Sequence, residues 1–357
     1  MDMCDAAQRN VETLRQLSAL PSLTKLSVSL KAADLQRLME ERGSEQALAD
    51  LGAAFPPRLR SLDLWLSNSH SAAAAQLLVD ALPALAGLAE LTLLGRGGNV
   101  FASLSLEPLL RLPRLAKLSL NRNDQVAAAH LAVVKQIAAL RELEVAVSTA
   151  EQLAALCRPP QRLQRLQRLS LSAVEVGEAE MAELIHLPSL TELKADQLLP
   201  AAYPLLAQLP LLRELHVTLE EFADPAVSQS QREAMDDGLR RCPALTRVCA
   251  LDGSLTESDG ARLLRSLPQL RELHLLRVSP PSLEFLQHAP QLAHLCFSQC
   301  RRLRVAHLTL LGQLAPALTD LRIWRCAGVE LDALELRVMT PPSAIWPRLR
   351  NFAFQEP

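Results

Sequence analysis

The pattern Leu-x-x-Leu-x-Leu, with apolar substitutions, recurs along this 357-residue chain and constrains its fold more than any other feature. Thirteen copies occur at intervals of 22 to 36 residues. Their first leucines are Leu23, Leu59, Leu88, Leu115, Leu140, Leu166, Leu190, Leu212, Leu245, Leu270, Leu292, Leu318 and Leu349. Leucine consequently accounts for 78 of the 357 residues. Self-similarity at this period indicates a repeat architecture in which each unit stacks on its neighbours.

Each copy predicts one short strand followed by a helical return. The alternation x-Leu-x-Leu-x gives a strand with one buried and one exposed face. In ten of the thirteen copies a proline stands two residues before the first leucine, where its missing N–H group marks the start of the strand. Helical spacing follows at 71–82, 127–140, 149–157 and 256–267, and Thr149 and Thr256 are predicted to cap the last two helices. Because no single coil can bury its own apolar face, such coils stack into a solenoid.

These motifs, clearest in LPSLTKLSVSL, LPRLAKLSLNRN and LPQLRELHL, resemble the leucine-rich-repeat superfamily over about residues 20 to 357. Repeats that average about 27 residues, with helical convex segments, are similar to the ribonuclease-inhibitor-like and F-box-associated types. The resemblance implies an α/β leucine-rich-repeat solenoid, a horseshoe of about 13 repeats with parallel strands on the concave face and mostly helices on the convex face. It also implies protein–protein recognition, in a substrate-recognition, scaffold or inhibitor role.

The chain is predicted to comprise an N-terminal capping helix, residues 1–20, and the solenoid, residues 21–357. Val11, Leu14, Leu17 and Leu20 recur at helical spacing and favour the capping helix. Three joins between repeats are irregular: residues 31–55, which predict an extra helix, residues 219–244, which hold a polar loop before a helix, and residues 329–347. Such insertions either bind partners or are tolerated growth of a loop.

Composition argues against several classes of partner and compartment. The 37 basic and 39 acidic residues give a formal charge of −2, so the chain lacks the bulk basicity that nucleic acid binding needs. No stretch of about 18 apolar residues occurs, so no membrane span is predicted. The seven cysteines are odd in number and scattered, and the N-terminus does not resemble a secretory signal. We therefore expect a cytoplasmic or nuclear protein with reduced thiols.

Strand alternation assigns the side chains that face the concave surface, where thirteen strands about 4.8 Å apart would accommodate an ordinary protein interface. Acidic side chains gather there in the central repeats. They are Glu142, Glu144, Glu192, Asp196 and Glu214. One interpretation is a binding surface for a basic segment of a protein partner. The alternative is a solvated face whose charges are partly balanced by Arg168 and Lys194.

Two of the three tryptophans, Trp65 and Trp324, are predicted to be exposed on the same surface. Trp and Arg are enriched at the energetic centres of interfaces, so Trp324 with its neighbour Arg322 is the stronger candidate for partner binding. The alternative is that each tryptophan packs against its own solenoid loop.

Histidines and cysteines also follow one another in four successive repeats. They are His216, Cys249, His274 and Cys296. Four ligands in a straight row cannot surround one tetrahedral ion, and neither an orienting third group nor an oxyanion hole is evident for a nucleophilic cysteine. Cys300 and Cys326 are expected to be buried structural thiols. We therefore predict no catalytic residues, no metal and no cofactor.

The expected function is non-catalytic recognition of a protein partner through the concave face. An alternative is a regulator of an enzyme, such as a GTPase-activating solenoid that inserts Arg96 from its glycine-rich turn into a nucleotide site. A remote alternative is a metal-dependent activity, which would require stoichiometric metal.

Overall fold

The computed structural model describes residues 2–3, 8–9, 11–20, 22–30, 32–67, 71–96, 101–120, 126–158, 163–218, 227–253, 256–278, 282–329 and 347–355. The chain divides into two compact units, Met1–Val174 (unit 1) and Glu175–Pro357 (unit 2). Both units are built from strands and helices that alternate along the chain. The irregular joins fall partly outside the described residues, at 219–226 and 330–346.

All thirteen leucine patterns form strands, and these are labelled β1 to β13. Their bounds are Lys25–Leu30, Ser61–Ser67, Glu90–Arg96, Lys117–Leu120, Glu142–Ala146, Arg168–Val176, Glu192–Leu198, Glu214–Thr218, Arg247–Gly253, Glu272–Val278, His294–Ser298, Asp320–Trp324 and Asn351–Gln355. Strands β1 to β5 belong to unit 1, β7 to β13 belong to unit 2, and β6 runs across the division. Two further strands of two residues, Asp2–Met3 and Gln8–Arg9, pair with β1.

Neighbouring strands within each unit pair in parallel and in sequence order. The register aligns the same position of the repeat, so that Leu62 on β2 pairs with Leu91 on β3 in unit 1. In unit 2, Leu273 on β10 pairs with Leu295 on β11 in the same way. The period-two alternation therefore places one set of side chains inward in every repeat, as the sequence predicted.

Helices return the chain between strands. The α-helices α1 to α10 are Val11–Ser18, Ala32–Ala54, Ala72–Ala81, Ala128–Val134, Ala150–Cys157, Glu178–Leu184, Tyr203–Leu206, Gln229–Arg240, Glu257–Ser266 and Val305–Leu314. Short 3-10 helices are Leu82–Ala84, Phe101–Ser103, Glu107–Arg111, Pro200–Ala202 and Glu284–His288. Both predicted N-caps are confirmed: Thr149 Oγ1 accepts the Gln152 N–H at 3.3 Å, and Thr256 Oγ1 accepts the Asp259 N–H at 3.2 Å. The extra helix expected within residues 31–55 is α2, which is kinked at Gly43, where φ is 73°.

Leucines of the repeats form the core between strands and helices. The first leucine of every copy exposes at most 5% of its surface. Helix α1 contributes Val11, Leu14 and Leu17 to the buried set. Cys300 and Cys326 are buried as predicted, and the Cys300 N–H lies 3.4 Å from Cys326 Sγ.

The residue seven positions after the first leucine adopts a left-handed backbone in four repeats, although none of the four is glycine. These residues are Ala173, Arg277, Gln299 and Arg325, with φ between 52° and 64°. The register supports their equivalence, because the preceding residues Leu276, Ser298 and Trp324 pair across β10, β11 and β12. The backbone therefore makes the same left-handed step in these repeats, within β6 and β10 and directly after β11 and β12.

Candidate functional site

In each unit, the side chains that point away from the helices form what we call the exposed sheet face. Three columns run across it: the first, middle and third columns lie two, four and six residues after the first leucine of each repeat. In repeat 7 these positions are Glu192, Lys194 and Asp196. All eight residues that the sequence singled out as partner-binding lie in these columns, five of them in unit 2 and three in unit 1.

The acidic side chains of unit 1 are held by cations from both neighbouring strands. Glu142 on β5 accepts a hydrogen bond from Arg168 Nη1 at 2.7 Å and lies 3.5 Å from Lys117 Nζ. Glu144 lies 3.8 Å from the same lysine and accepts the Ser119 hydroxyl at 2.8 Å. The face of unit 1 is thus a ladder of alternating charges rather than an unbalanced acidic surface.

The acidic side chains of unit 2 are arranged around a histidine. His216 Nε2 lies 2.7 Å from Glu214 Oε1 and 3.5 Å from Glu192 Oε1. The second oxygen of Glu214 accepts a hydrogen bond from Arg247 Nη1 at 2.7 Å. Asp196 is exposed in the third column of β7. Four of the five predicted acidic residues therefore form one group in each unit, and both groups contain cations.

Within the described residues, Glu192, Glu214 and His216 bring three ligand-type atoms within 4.8 Å of one another. These atoms are already satisfied by one another and by Arg247. A metal ion would have to displace the proton that His216 shares with Glu214, so the group is an ion-pair cluster. The expectation that no metal binds here stays a prediction.

Trp324, at the end of β12, is 40% exposed and is the strongest candidate for a contact residue. It lines a shallow depression together with Arg322, Arg350 and Phe352. The Arg322 side chain is half exposed and donates from Nε to Asp320 Oδ1 at 3.0 Å, which fixes the guanidinium on the same face as the indole. Asp320 itself is buried, although the strand alternation predicted that it would be exposed.

Trp65 differs from Trp324 because it is half-buried on β2. Its indole N–H donates to Ser27 Oγ on β1 at 3.3 Å. The prediction that both tryptophans are exposed is therefore correct for Trp324 and wrong for Trp65. The hydrogen bond ties the indole to the neighbouring strand β1, and packing against its own solenoid loop stays untested.

The histidines and cysteines of the middle column lie side by side, as their positions predicted. His216 on β8 pairs with Cys249 on β9, which pairs with His274 on β10, which pairs with Cys296 on β11. Both cysteines are buried, with 9% and 7% of their surfaces exposed, so the expectation of an exposed middle column is wrong for them. A thiol is short, and the longer imidazoles beside it cover it.

The pKa values of the two buried thiols are shifted in opposite directions. Burial by itself raises the pKa of Cys249, but hydrogen bonds to His216 and His274 and the charge of these rings outweigh it and lower the pKa to about 7. For Cys296, burial and the neighbouring Cys249 raise the pKa to about 11. Burial lowers the pKa of His216, yet its hydrogen bonds to Cys249 and Glu214 prevail and raise it to about 9. Glu214 is therefore the orienting third group that the sequence analysis did not find; the Glu-x-His spacing was its only signal.

Two further predictions concern Arg96 and a membrane span. Arg96, the arginine proposed for GTPase activation, ends β3, and its side chain is not among those described. In the part of the chain that the structure describes, no helix combines the length and apolarity required to cross a bilayer.

Comparison with known proteins shows likeness in fold alone. No family model matches the sequence, and no curated protein matches it. A yeast structure, that of the Rad7 and Elc1 complex, aligns with a TM-score of 0.52 and 16% identity over 94% of this chain and 83% of that chain. An internalin, InlF of Listeria monocytogenes, aligns with a TM-score of 0.44 and 14% identity over 96% and 93%. Human 5T4 aligns with a TM-score of 0.37 and 22% identity over 52% and 71%.

Proposed function

We propose that this chain, an α/β leucine-rich-repeat solenoid by fold, is a non-catalytic module that binds a protein partner through its exposed sheet face. The observation that carries the proposal is Trp324, a large aromatic side chain that stays 40% exposed on a regular strand beside a half-exposed arginine. Trp and Arg dominate the energetics of protein interfaces because they combine apolar area with directed hydrogen bonds.

The proposed binding residues fall into two classes. Trp324 and Arg322 supply affinity, since their side chains are accessible and lie next to each other. The charged residues supply specificity, because each partner charge must compete with an existing ion pair. This second class comprises Glu142, Glu144, Glu192, Asp196 and Glu214. Trp65, which is half-buried on the exposed sheet face of unit 1, contributes less contact area.

The finer role that we propose is recognition of a substrate, scaffolding or inhibition, in a ribonuclease-inhibitor-like or F-box-associated repeat, within the cytoplasm or nucleus. One solved structure with this fold was determined as a complex of two proteins. A formal charge of −2 supports a protein partner with a basic segment over nucleic acid. No cofactor, metal or membrane surface is part of the proposal.

The test compares partners captured by three baits, followed by mass spectrometry. The baits are the unchanged chain, Trp324→Ala, and Leu310→Ala as a matched control. Leu310 is 45% exposed on helix α10. The substitution Leu310→Ala therefore removes a similarly accessible apolar side chain from the helical side of unit 2. Circular dichroism verifies that all three are folded. We expect Trp324→Ala to lose a partner that Leu310→Ala retains. Loss with Leu310→Ala alone would place binding on the helices and contradict the proposal.

A further inference from the structure

Cys249 lies between two imidazole rings on the exposed sheet face of unit 2. The register pairs it with His216 on one side and His274 on the other. Neighbouring strands are about 4.8 Å apart, so side chains of the same column are in contact range. Glu214 orients His216 through a 2.7 Å hydrogen bond. The thiol, the imidazole and the carboxylate therefore follow one another across β9 and β8.

Few described thiols in this chain combine access with acidity. Cys157, Cys300 and Cys326 expose 0% of their surfaces. Cys242 retains 3% exposure, and burial raises its pKa to about 11. Cys249 and Cys296 retain more, and they share the middle column and a similar burial. Of these two, the one flanked by two histidines is the stronger acid.

We propose that Cys249 is an oxidation site, at which hydrogen peroxide converts the thiol selectively to a sulfenic acid. The thiolate sulfur attacks one peroxide oxygen, so that an S–O bond forms and the O–O bond breaks. The sulfur gives up two electrons, and the peroxide is reduced. The second oxygen leaves as hydroxide and takes a proton from the imidazolium of His216, which yields water and a neutral ring. Cys249 keeps 9% of its surface exposed, so the reaction calls for a small oxidant.

Both histidines serve the reaction by favouring the thiolate form of Cys249. Only the thiolate is nucleophilic, and a positive ring beside the sulfur favours that form at neutral pH. The protonated ring then stabilises the departing hydroxide. The titratable and charged groups that face Cys249, from its own strand and from the strands on each side, are Glu214, His216, Arg247, Glu272 and His274, with Cys296 one strand beyond.

The oxidised product is expected to stay a sulfenic acid within this row. Cys296 lies two strands from Cys249, about 9.6 Å at the usual strand spacing. A disulfide needs Cα atoms within about 7 Å, so this thiol cannot resolve the sulfenic acid without movement of the sheet. An added hydroxyl among His216, Cys249 and His274 would then alter the polarity of the face itself.

The experiment treats the full chain at pH 7 with limiting hydrogen peroxide, traps sulfenic acid with dimedone, and quantifies labelled peptides by mass spectrometry. Cys296 is the internal reference, because it shares the column and the burial of Cys249. The difference in thiolate fraction, reduced by the weaker nucleophilicity of the more acidic thiol, predicts labelling of Cys249 faster by on the order of 100-fold. Labelling of Cys296 at an equal or greater rate would overturn the proposal.

A second arm measures how the labelling rate of Cys249 depends on pH. We expect a midpoint near pH 7 for the unchanged chain, which moves upward by a pH unit or more in His216→Gln and in His274→Gln. His294→Gln is the control, since it removes an imidazole from the same face two strands away from Cys249. An unmoved midpoint in folded His216→Gln contradicts the proposal. If the variants do not fold, a midpoint above pH 8 in the unchanged chain contradicts it instead. The readout involves no partner, so it is independent of the proposed recognition function.

Discussion

Near neutral pH, one proton is carried by His216 in the folded chain and by Cys249 in the unfolded chain. In the folded chain the pKa of His216 is raised from 6.5 to about 9 and that of Cys249 is lowered from 9.0 to about 7. Between pH 7 and 9 the folded pair therefore carries one proton, on the imidazole. The unfolded pair also carries one, on the thiol. Because the proton counts are equal, this pair makes no contribution to the pH dependence of stability in that window.

Replacing the thiol removes this balance. In Cys249→Ala the opposing thiolate is gone while the hydrogen bond to Glu214 still favours the protonated ring of His216, so the folded state binds up to one proton more than the unfolded state above pH 6.5. The stabilisation is fully present below pH 6.5 and is lost as pH rises toward the folded-state pKa, by about 1.4 kcal/mol per pH unit at the steepest point. Urea unfolding between pH 6 and 9 measures this. Cys296→Ala, which leaves the pair intact, should retain the profile of the unchanged chain; an identical profile in Cys249→Ala would contradict the linkage.

Leu118 tests the packing of a single repeat. It is the second leucine of repeat 4, lies on β4, and has no exposed surface. Leu118→Ala should lower the free energy of unfolding by about 2–5 kcal/mol, since a cavity remains where the side chain was. Leu110→Ala is the control: the side chain is 40% exposed, and the change should stay within about 0.5 kcal/mol. Chemical denaturation of both variants measures the difference, and a loss at Leu118 as small as that at Leu110 would show the assigned register to be wrong.

At the scale of elements, Gly238 marks the closest approach between two helices. A Cβ atom there would collide with the carbonyl oxygen of Tyr203, where α7 begins, and would lie 2.8 Å from the Pro204 nitrogen. Gly238→Ala should therefore destabilise unit 2 by about 1–3 kcal/mol, even though alanine is the better helix former. Gly87→Ala is the matched control, because its Cβ would meet the Leu59 carbonyl oxygen at an ordinary 3.5 Å. Equal melting temperatures for the two variants would rule out the close approach.

Sequence alone predicted the strands, their parallel order and the helix caps, because each depends on local spacing: alternating leucines for a strand, or a threonine before a helix. It did not predict how side chains on neighbouring strands cover and contact one another. Cys249 and Cys296 are buried because longer side chains flank them, and Trp65 is hydrogen-bonded to Ser27. The contact of His216 with both Glu214 and Glu192 needs register and side-chain conformation together. The residue spacing within one repeat determines neither the register nor the side-chain conformation.

At the scale of the whole molecule, charge is nearly balanced, and within each unit it is also balanced locally. The formal charge is −2, and the exposed sheet face pairs its charges across strands, as in Arg247 with Glu214 and Glu272 at 2.7 and 2.5 Å. Fields from such pairs fall off within about 10 Å at moderate salt. Recognition should therefore depend on shape and direct contact more than on long-range attraction of a charged partner.

The left-handed residue within or directly after four of the strands limits how those repeats can change over evolutionary time. Ala173, Arg277, Gln299 and Arg325 hold a positive φ without being glycine. Straight-chain side chains tolerate this conformation at a modest cost, whereas valine, isoleucine or threonine crowd the backbone and proline cannot adopt it. In these four repeats the position can therefore vary in charge and length but not in branching at Cβ, whereas repeat 5 carries Val147 at the same position without a positive φ. A repeat that keeps the left-handed turn keeps this narrow choice of side chain, and a repeat that loses the turn is released from it.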